Sequence, residues 1–160
     1  MVKDSGTVQN SIFDQWIASG NPQRIAQAIG LELTELSAGR AVMTFSAGSP
    51  HHNPTGTVHG GILCYLADTA MGFAWSSGIK SGETFTTIEM KINFFRPVWT
   101  GKLSAEATVI RRGQTIGYAE CDVKDEHGRL VAKSSSTLMT LRGEKAADRS
   151  FTGTKPETAQ

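Results

Sequence analysis

His59-Gly60-Gly61-Ile62-Leu63-Cys64-Tyr65-Leu66-Ala67-Asp68-Thr69-Ala70-Met71-Gly72-Phe73-Ala74-Trp75 is the stretch on which the fold turns. It is too long for an ordinary strand and carries a single charge, Asp68, so it reads as a helix. Its near-uniform apolarity reads as a helix buried on most sides. The segments before and after it must therefore supply the walls around it.

Upstream, Leu31 to Leu36 approximates a period of two, Ser37-Ala38-Gly39-Arg40 turns, and Ala41 to Phe45 alternates again, which is the pattern of a β-hairpin. Before it, Ile12, Phe13, Trp16 and Ile17 recur at helical spacing with Ser11 as N-cap. Gly20-Asn21-Pro22 breaks that helix and restarts it with Ile25, Ala26 and Ile29 on the apolar face. Downstream of the Gly78–Gly82 loop, four strands are expected: Phe85 to Phe95, Leu103 to Arg111, Thr115 to Val123 and Leu130 to Leu141. The short turns between them predict a meander of antiparallel neighbours. The expectation is an α+β domain over residues 11–142, one antiparallel sheet wrapped around a long central helix, with polar tails at 1–10 and 143–160. Strands longer than the usual five or six residues leave an open edge, which predicts pairing with a second copy as a dimer or a dimer of dimers.

Composition narrows the function. The chain has 160 residues, 39 % of them apolar, enough for one core. No window approaches the roughly 20 apolar residues of a membrane span, and the N-terminus lacks the basic-then-apolar pattern of a signal peptide. A net charge of +1 argues against a dedicated nucleic-acid binder. Two cysteines, Cys64 and Cys121, make no disulfide framework and point to the cytoplasm. Glycine is in surplus, 17 residues of 160 against a usual ~7 %, so where the glycines fall bears on the site.

The chemistry concentrates in Asn53-Pro54-Thr55-Gly56-Thr57-Val58-His59-Gly60-Gly61 and in Asp68. Gly60 and Gly61 sit where the helix begins, where unpaired N–H groups point outward along the positive end of the dipole. Glycine lets a carbonyl approach those donors, as in an oxyanion hole, or it merely permits a tight turn into the helix. Asp68 in apolar surroundings is costly unless it is hydrogen-bonded or faces a cavity. The two are eight residues apart, about 12 Å along the axis. One small carbonyl cannot meet both in the same protomer, so a site using both needs a second, antiparallel copy of the helix.

The ordered set Asn53-x2-Gly56-x2-His59-Gly60-Gly61-x6-Asp68, then Thr87 in the following strand and Arg96-Pro97-x3-Gly101, resembles the hotdog-fold acyl-CoA thioesterases. Among them it is similar to the phenylacetic-acid-degradation and 4-hydroxybenzoyl-CoA thioesterase group. The resemblance implies roles. Asp68 would be the nucleophile or the base that activates water against the thioester carbonyl. Gly60 N–H of the partner would hold the oxyanion. Asn53 would orient the thioester or the water, Thr87 would position water beside the carboxylate, and His59 would contact the sulfur region or brace the loop. It also implies an aryl- or medium-chain acyl-CoA substrate, no cofactor, and a homodimer or homotetramer. Some branches carry Glu one turn away on this helix, and Asp68 favours the phenylacetate-degradation type. A thiolate leaves readily, so one carboxylate, one water and a few donors suffice.

Other residues admit plainer readings. His51, His52, His59 and Asp68 do not have the spacing of a metal site, and no metal is expected. Cys64 reads as a small core residue. Trp16, Phe73 and Trp75 read as core filling before acyl-pocket lining. Ser76 and Ser77 lack a Gly-x-Ser-x-Gly elbow. Lys91, Arg96, Arg111, Arg112 and Arg142 are candidates for the phosphates of coenzyme A, with Arg111 and Arg112 beside Gly113 preferred. The alternatives in function are a hotdog acyl-thioester hydratase or dehydratase, whose Asp-x4-His spacing is missing here, and a non-catalytic acyl-CoA-binding protein.

Overall fold

The computed structural model describes residues 3–4 and 24–147. The helix expected at Ile12–Ile17 and the Asn21-Pro22 restart lie outside the described residues. Its elements are β1 (Lys3–Asp4), α1 (Arg24–Ile29), β2 (Leu31–Ser37), β3 (Arg40–Ala47), a 3-10 turn (Ser49–His51), α2 (Gly60–Ser76), β4 (Thr84–Phe94), β5 (Gly101–Arg112), β6 (Ile116–Asp125), β7 (Leu130–Leu141) and α3 (Glu144–Ala147). Strands β2 to β7 form one antiparallel sheet, to which Lys3–Asp4 adds two residues in parallel beside β2. The long helix and all six expected strands are present, with ends shifted by a residue or two.

The sheet closes around α2 because its inner face is made of small residues. Ala41, Ala105, Ala107, Ala119 and Ala132 are fully buried among Met43, Phe45, Leu103 and Leu138. They let the strands approach a helix that buries Leu63, Leu66, Ala67, Ala70, Met71 and Ala74. Truncating one of the larger members, such as Leu66 to Ala, costs about 2–5 kcal/mol. Gly39, at φ 75°, makes the turn of the β2–β3 hairpin. Its N–H donates to Ser77 Oγ at 2.8 Å, tying the hairpin to the end of α2.

The meander is corrected. β5, β6 and β7 follow one another, but β4 pairs with β7 at the far edge, and β5 pairs with β3. Residues 95–100 are therefore a strap across the N-terminal end of α2. Phe95 N–H still donates to Val131 O, Val58 N–H donates to Val98 O at 2.8 Å, and the His52 ring meets Trp99 O at 2.6 Å. A six-residue link reads like a hairpin, but wrapping the sheet brings its two flanks close enough for the same length to cross between them.

β4 carries a bulge at Ile88, between the pairs Thr87–Leu138 and Glu89–Thr137. An extra residue reverses which side chains face inward. Phe85 and Thr87 face α2 before the bulge; Met90, Ile92 and Phe94 do so after it, opposite buried Ser136, Ser134 and Ala132. Without the extra residue Glu89, Lys91 and Asn93 would point into the core. Ser136 and Ser134 donate their hydroxyls to the carbonyls of Glu89 and Lys91, satisfying themselves in the interior.

Candidate active site

β4 runs along one row of α2, four residues at a time. A Cβ on Gly60 would lie 3.1 Å from the Phe94 ring, Asp68 meets Thr87, and a Cβ on Gly72 would lie 3.2 Å from the Phe85 ring. Gly60, Cys64, Asp68 and Gly72 therefore share the face turned toward β4. The glycines at both ends let the aromatic rings of the strand approach, and the carboxylate lies between them. Gly60 thus has a packing reason to be glycine that the sequence does not disclose.

Thr87 Oγ1 donates to Asp68 Oδ1 at 3.1 Å. Asp68 is half-buried and is the sole charged residue of α2. Cys64, one turn before it, is also half-buried. Its thiol is pushed above the ordinary value, first by burial, with the charge of Asp68 adding to the effect. Tyr65 is raised for the same two reasons in the same order. Both groups are therefore protonated at neutral pH, and Cys64 has no thiolate character to offer as a nucleophile. Cys121, in the sheet, is pushed up to about 12 by burial.

The head of α2 is capped from within. His59 is the N-cap; its Nδ1 accepts from Gly61 N–H at 2.9 Å, and its carbonyl accepts from Ile62 N–H. The Gly60 N–H is left without an intrachain acceptor among the described residues. His59 thus braces the helix start, and its Nδ1 is occupied. Asn53 builds the preceding loop. Its Oδ1 accepts from Thr55 N–H, Thr55 Oγ1 and Thr57 N–H, and its Nδ2 donates to Thr57 Oγ1, leaving one amide hydrogen uncommitted. His51 packs edge-on to Phe45 and accepts from Gly48 N–H. Among the described residues, no three of His, Cys, Asp and Glu are grouped to hold a metal ion.

The expected site residues are therefore brought together in two groups, Asp68 with Thr87 near the middle of α2, and Asn53, His59 and Gly60 at its head. Arg111 and Arg112 are not brought together. After a second bulge at Ile110, Arg111 pairs with outward-facing Tyr118, while Arg112 pairs with buried Gly117 and turns inward. Arg112 lies over the Trp75 ring, 3.9 Å from its centroid, and donates Nη2 to Trp75 O at 2.7 Å. Trp75 is fully buried and is core, whereas Phe73 is partly exposed.

Phe94 escaped the sequence reading as part of this site. Its position seven residues after Thr87 signals nothing until the bulge at Ile88 is known.

Comparison with known proteins bears on this arrangement. A family model described as Thioesterase superfamily matches residues 55–132, which include Gly60, Asp68 and Thr87. Acyl-coenzyme A thioesterase PaaI of Escherichia coli is 31 % identical over 125 residues, covering 74 % of this chain and 86 % of that one. The 1,4-dihydroxy-2-naphthoyl-CoA hydrolase of Listeria monocytogenes is 26 % identical over 76 % of this chain and 98 % of its own length. The solved structure of E. coli PaaI superposes with a TM-score of 0.74 at 26 % identity, covering 82 % of this chain and 94 % of that one. A thioesterase structure from Haemophilus influenzae gives the same TM-score and identity over 88 % and 94 %. With its sheet around one long helix, the chain belongs to the hotdog-fold thioesterase superfamily and is a thioester hydrolase.

Proposed function

We propose that the enzyme hydrolyses an aryl- or medium-chain acyl-CoA to the free acid and coenzyme A, at a site shared between two copies. The observation that carries this is the Thr87–Asp68 hydrogen bond on the one charged position of an otherwise apolar helix. In the proposed reaction the thioester oxygen accepts the Gly60 N–H of the partner subunit, and Asp68 activates water or attacks the carbonyl carbon itself. Thr87 fixes the carboxylate, and the uncommitted amide hydrogen of Asn53 orients the ester or the water. Collapse of the tetrahedral intermediate breaks the C–S bond, and the departing sulfur leaves as thiolate or takes up a proton. With water as nucleophile this releases the acid directly; with Asp68 as nucleophile it leaves an anhydride on Asp68 that water then hydrolyses to the acid and the free carboxylate. The names of the relatives, an acyl-CoA thioesterase and an aryl-CoA hydrolase, support this substrate class.

A homodimer is supported by what α2 and β4 leave uncovered. The residues of α2 that are not fully buried are Gly60, Gly61, Ile62, Cys64, Tyr65, Asp68 and Phe73, a strip whose sole charge is Asp68. β4 ends the sheet, and two copies paired antiparallel about Met90 would set Glu89 of each opposite Lys91 of the other. Such pairing would also run the two α2 helices antiparallel, as a shared site requires. A homotetramer would be two such pairs. Among the described residues no helix is long and apolar enough to cross a membrane. The free Cys64 and Cys121 support a cytoplasmic enzyme. The test is thiol release from a panel of acyl-CoAs. Loss of most of the wild-type rate in both Asp68→Asn and Asp68→Ala is expected, and survival of activity in either would remove Asp68 from the mechanism.

A further inference from the structure

The ring of Phe94 stands at the head of α2 and has no task in the chemistry described above. It presents its tip to Gly60, not its face: a Cβ there would meet Cζ at 3.1 Å and each Cε at an equal 3.6 Å. Relaxed carbon contacts are about 3.5–4.0 Å, so no side chain fits between the ring and the helix. The Cα–Cβ direction and the N–H of a first-turn residue both lean toward the N-terminal end of a helix. The ring tip and a carbonyl bound to the Gly60 N–H therefore crowd the same corner.

The backbone on both sides fixes the ring there. The bulge at Ile88 turns Phe94 inward opposite fully buried Ala132, and Phe95 N–H donates to Val131 O at 2.8 Å. The ring is still 50 % exposed, so it is available to a bound molecule. Behind it the chain is closed: Val58 and Val98 are buried and joined by an N–H to carbonyl bond of 2.8 Å. The long arm of a thiol leaving group needs a way out to solvent, whereas an apolar dead end suits an acyl group. A carbonyl oxygen about 2.9 Å from the Gly60 nitrogen puts the acyl α-carbon within about 5–6 Å of that nitrogen. Any further group on the α-carbon then competes with the ring tip for space.

We propose that Phe94 selects the substrate at its acyl α-carbon. An unbranched CH2 or a flat aryl carbon passes the ring tip, and a carbon bearing an additional methyl group collides with it. The assignment rests on the acyl-CoA reading given above, with the thioester oxygen on the Gly60 N–H. It adds a limit on acyl shape that neither Asp68 nor Thr87 imposes, and the copy that supplies the N–H also supplies the ring.

Thiol release is measured for phenylacetyl-CoA and for butanoyl-CoA, each beside the same ester with one methyl group added on the α-carbon. In the wild type kcat/KM should favour the unbranched ester by about tenfold, the scale set by pushing a ring off its rotamer and by one methyl group in an apolar pocket. Phe94→Leu lacks the ring tip and keeps an apolar side chain on the edge strand, and it should bring the preference to within about threefold. Phe94→Ala should do the same. A general loss of rate from disturbed packing lowers both esters together and leaves their ratio alone. A wild type indifferent to the α-methyl group, or a preference that persists in both variants, overturns the proposal. Absence of thiol release from every ester of a wider acyl-CoA panel would instead overturn the functional reading, and the selector with it.

Discussion

Gly60→Ala separates two reasons for a glycine at the head of α2. The added Cβ would stand 3.1 Å from Phe94 Cζ and 3.6 Å from each Cε. Relaxed carbon contacts are about 3.5–4.0 Å, so the nearest one is short by roughly half an ångström. Phe94 is 50 % exposed, on an edge strand, and its ring can swing aside at a cost of about 0.5–1.5 kcal/mol. The helix preference of Ala over Gly offsets up to about 1 kcal/mol of that. Stability should therefore change by no more than about 1 kcal/mol, a Tm shift within roughly 2–4 °C for a chain of this size. Activity should behave differently. The methyl group and the displaced ring occupy the approach to the Gly60 N–H, and loss of one oxyanion donor costs about 100-fold or more in kcat. Thiol release and a thermal melt on the same preparation decide between them. A rate within about threefold of wild type would show that the N–H does not meet the reacting carbonyl. A rate loss accompanied by a collapse in Tm would show that the glycine serves packing alone. In the double variant with Phe94→Leu, any lost Tm should return while the rate stays low.

Thr87→Val removes a hydrogen bond of 3.1 Å, longer than the ~2.5–2.7 Å of a strong hydroxyl–carboxylate contact, so kcat should fall by about tenfold. Thr87→Ser should restore most of it, and a Val variant as fast as wild type would contradict the assigned role. Gly117→Ala would drive a Cβ into the Trp75 ring and the Arg111 carbonyl oxygen, against a tryptophan with no exposed surface and Arg112 stacked on it. About 3 kcal/mol of destabilisation or more is expected, lowering Tm by roughly 6–12 °C; calorimetry showing an unchanged Tm would mean that Trp75 can move. Glu83 has its pKa lowered, mainly by the Lys80 N–H and then by Arg142. A lowered folded-state pKa gives stability that is present above the ordinary carboxylate pKa and is lost as pH falls through the folded value. The Tm gap between wild type and Glu83→Gln should therefore be open at neutral pH and close below about pH 4. An equal gap at both pH values would exclude the linkage.

Much of this is legible in the amino-acid sequence. Helix α2 announces itself because a long stretch with one charge has few other physical readings, and the strands show by their alternation. Asp68 and Thr87, far apart in sequence, were expected at one site and are hydrogen-bonded. Strand order was not legible, because residues 95–100 are as short as a hairpin and only the curvature of the sheet makes them a strap. Nor was the second duty of Gly60: the bulge at Ile88 brings Phe94 inward, and alternation read from Phe85 without the extra residue points Phe94 outward. Arg111 and Arg112 differ, since adjacent residues on a strand face opposite ways. The period of two already separates them, and the nearby turn at Gly113 obscured it. Asn53 and His59 were expected near substrate, and their folded hydrogen bonds show how much of each is also spent on shaping the loop and the helix start.

The central claim is that Asp68 of one copy works with Gly60 N–H of the other. Mixed oligomers of two variants test it directly. Asp68→Asn lacks the carboxylate, and Gly60→Pro lacks the N–H at a first helical position that tolerates proline. Each alone should be nearly inactive. In a mixed dimer one of the two sites is built from the intact Asp68 and the intact Gly60. After equal mixing with subunit exchange, activity should therefore return to about a quarter of wild type. No recovery above the sum of the separate variants, with exchange confirmed by mass spectrometry, would contradict a shared site.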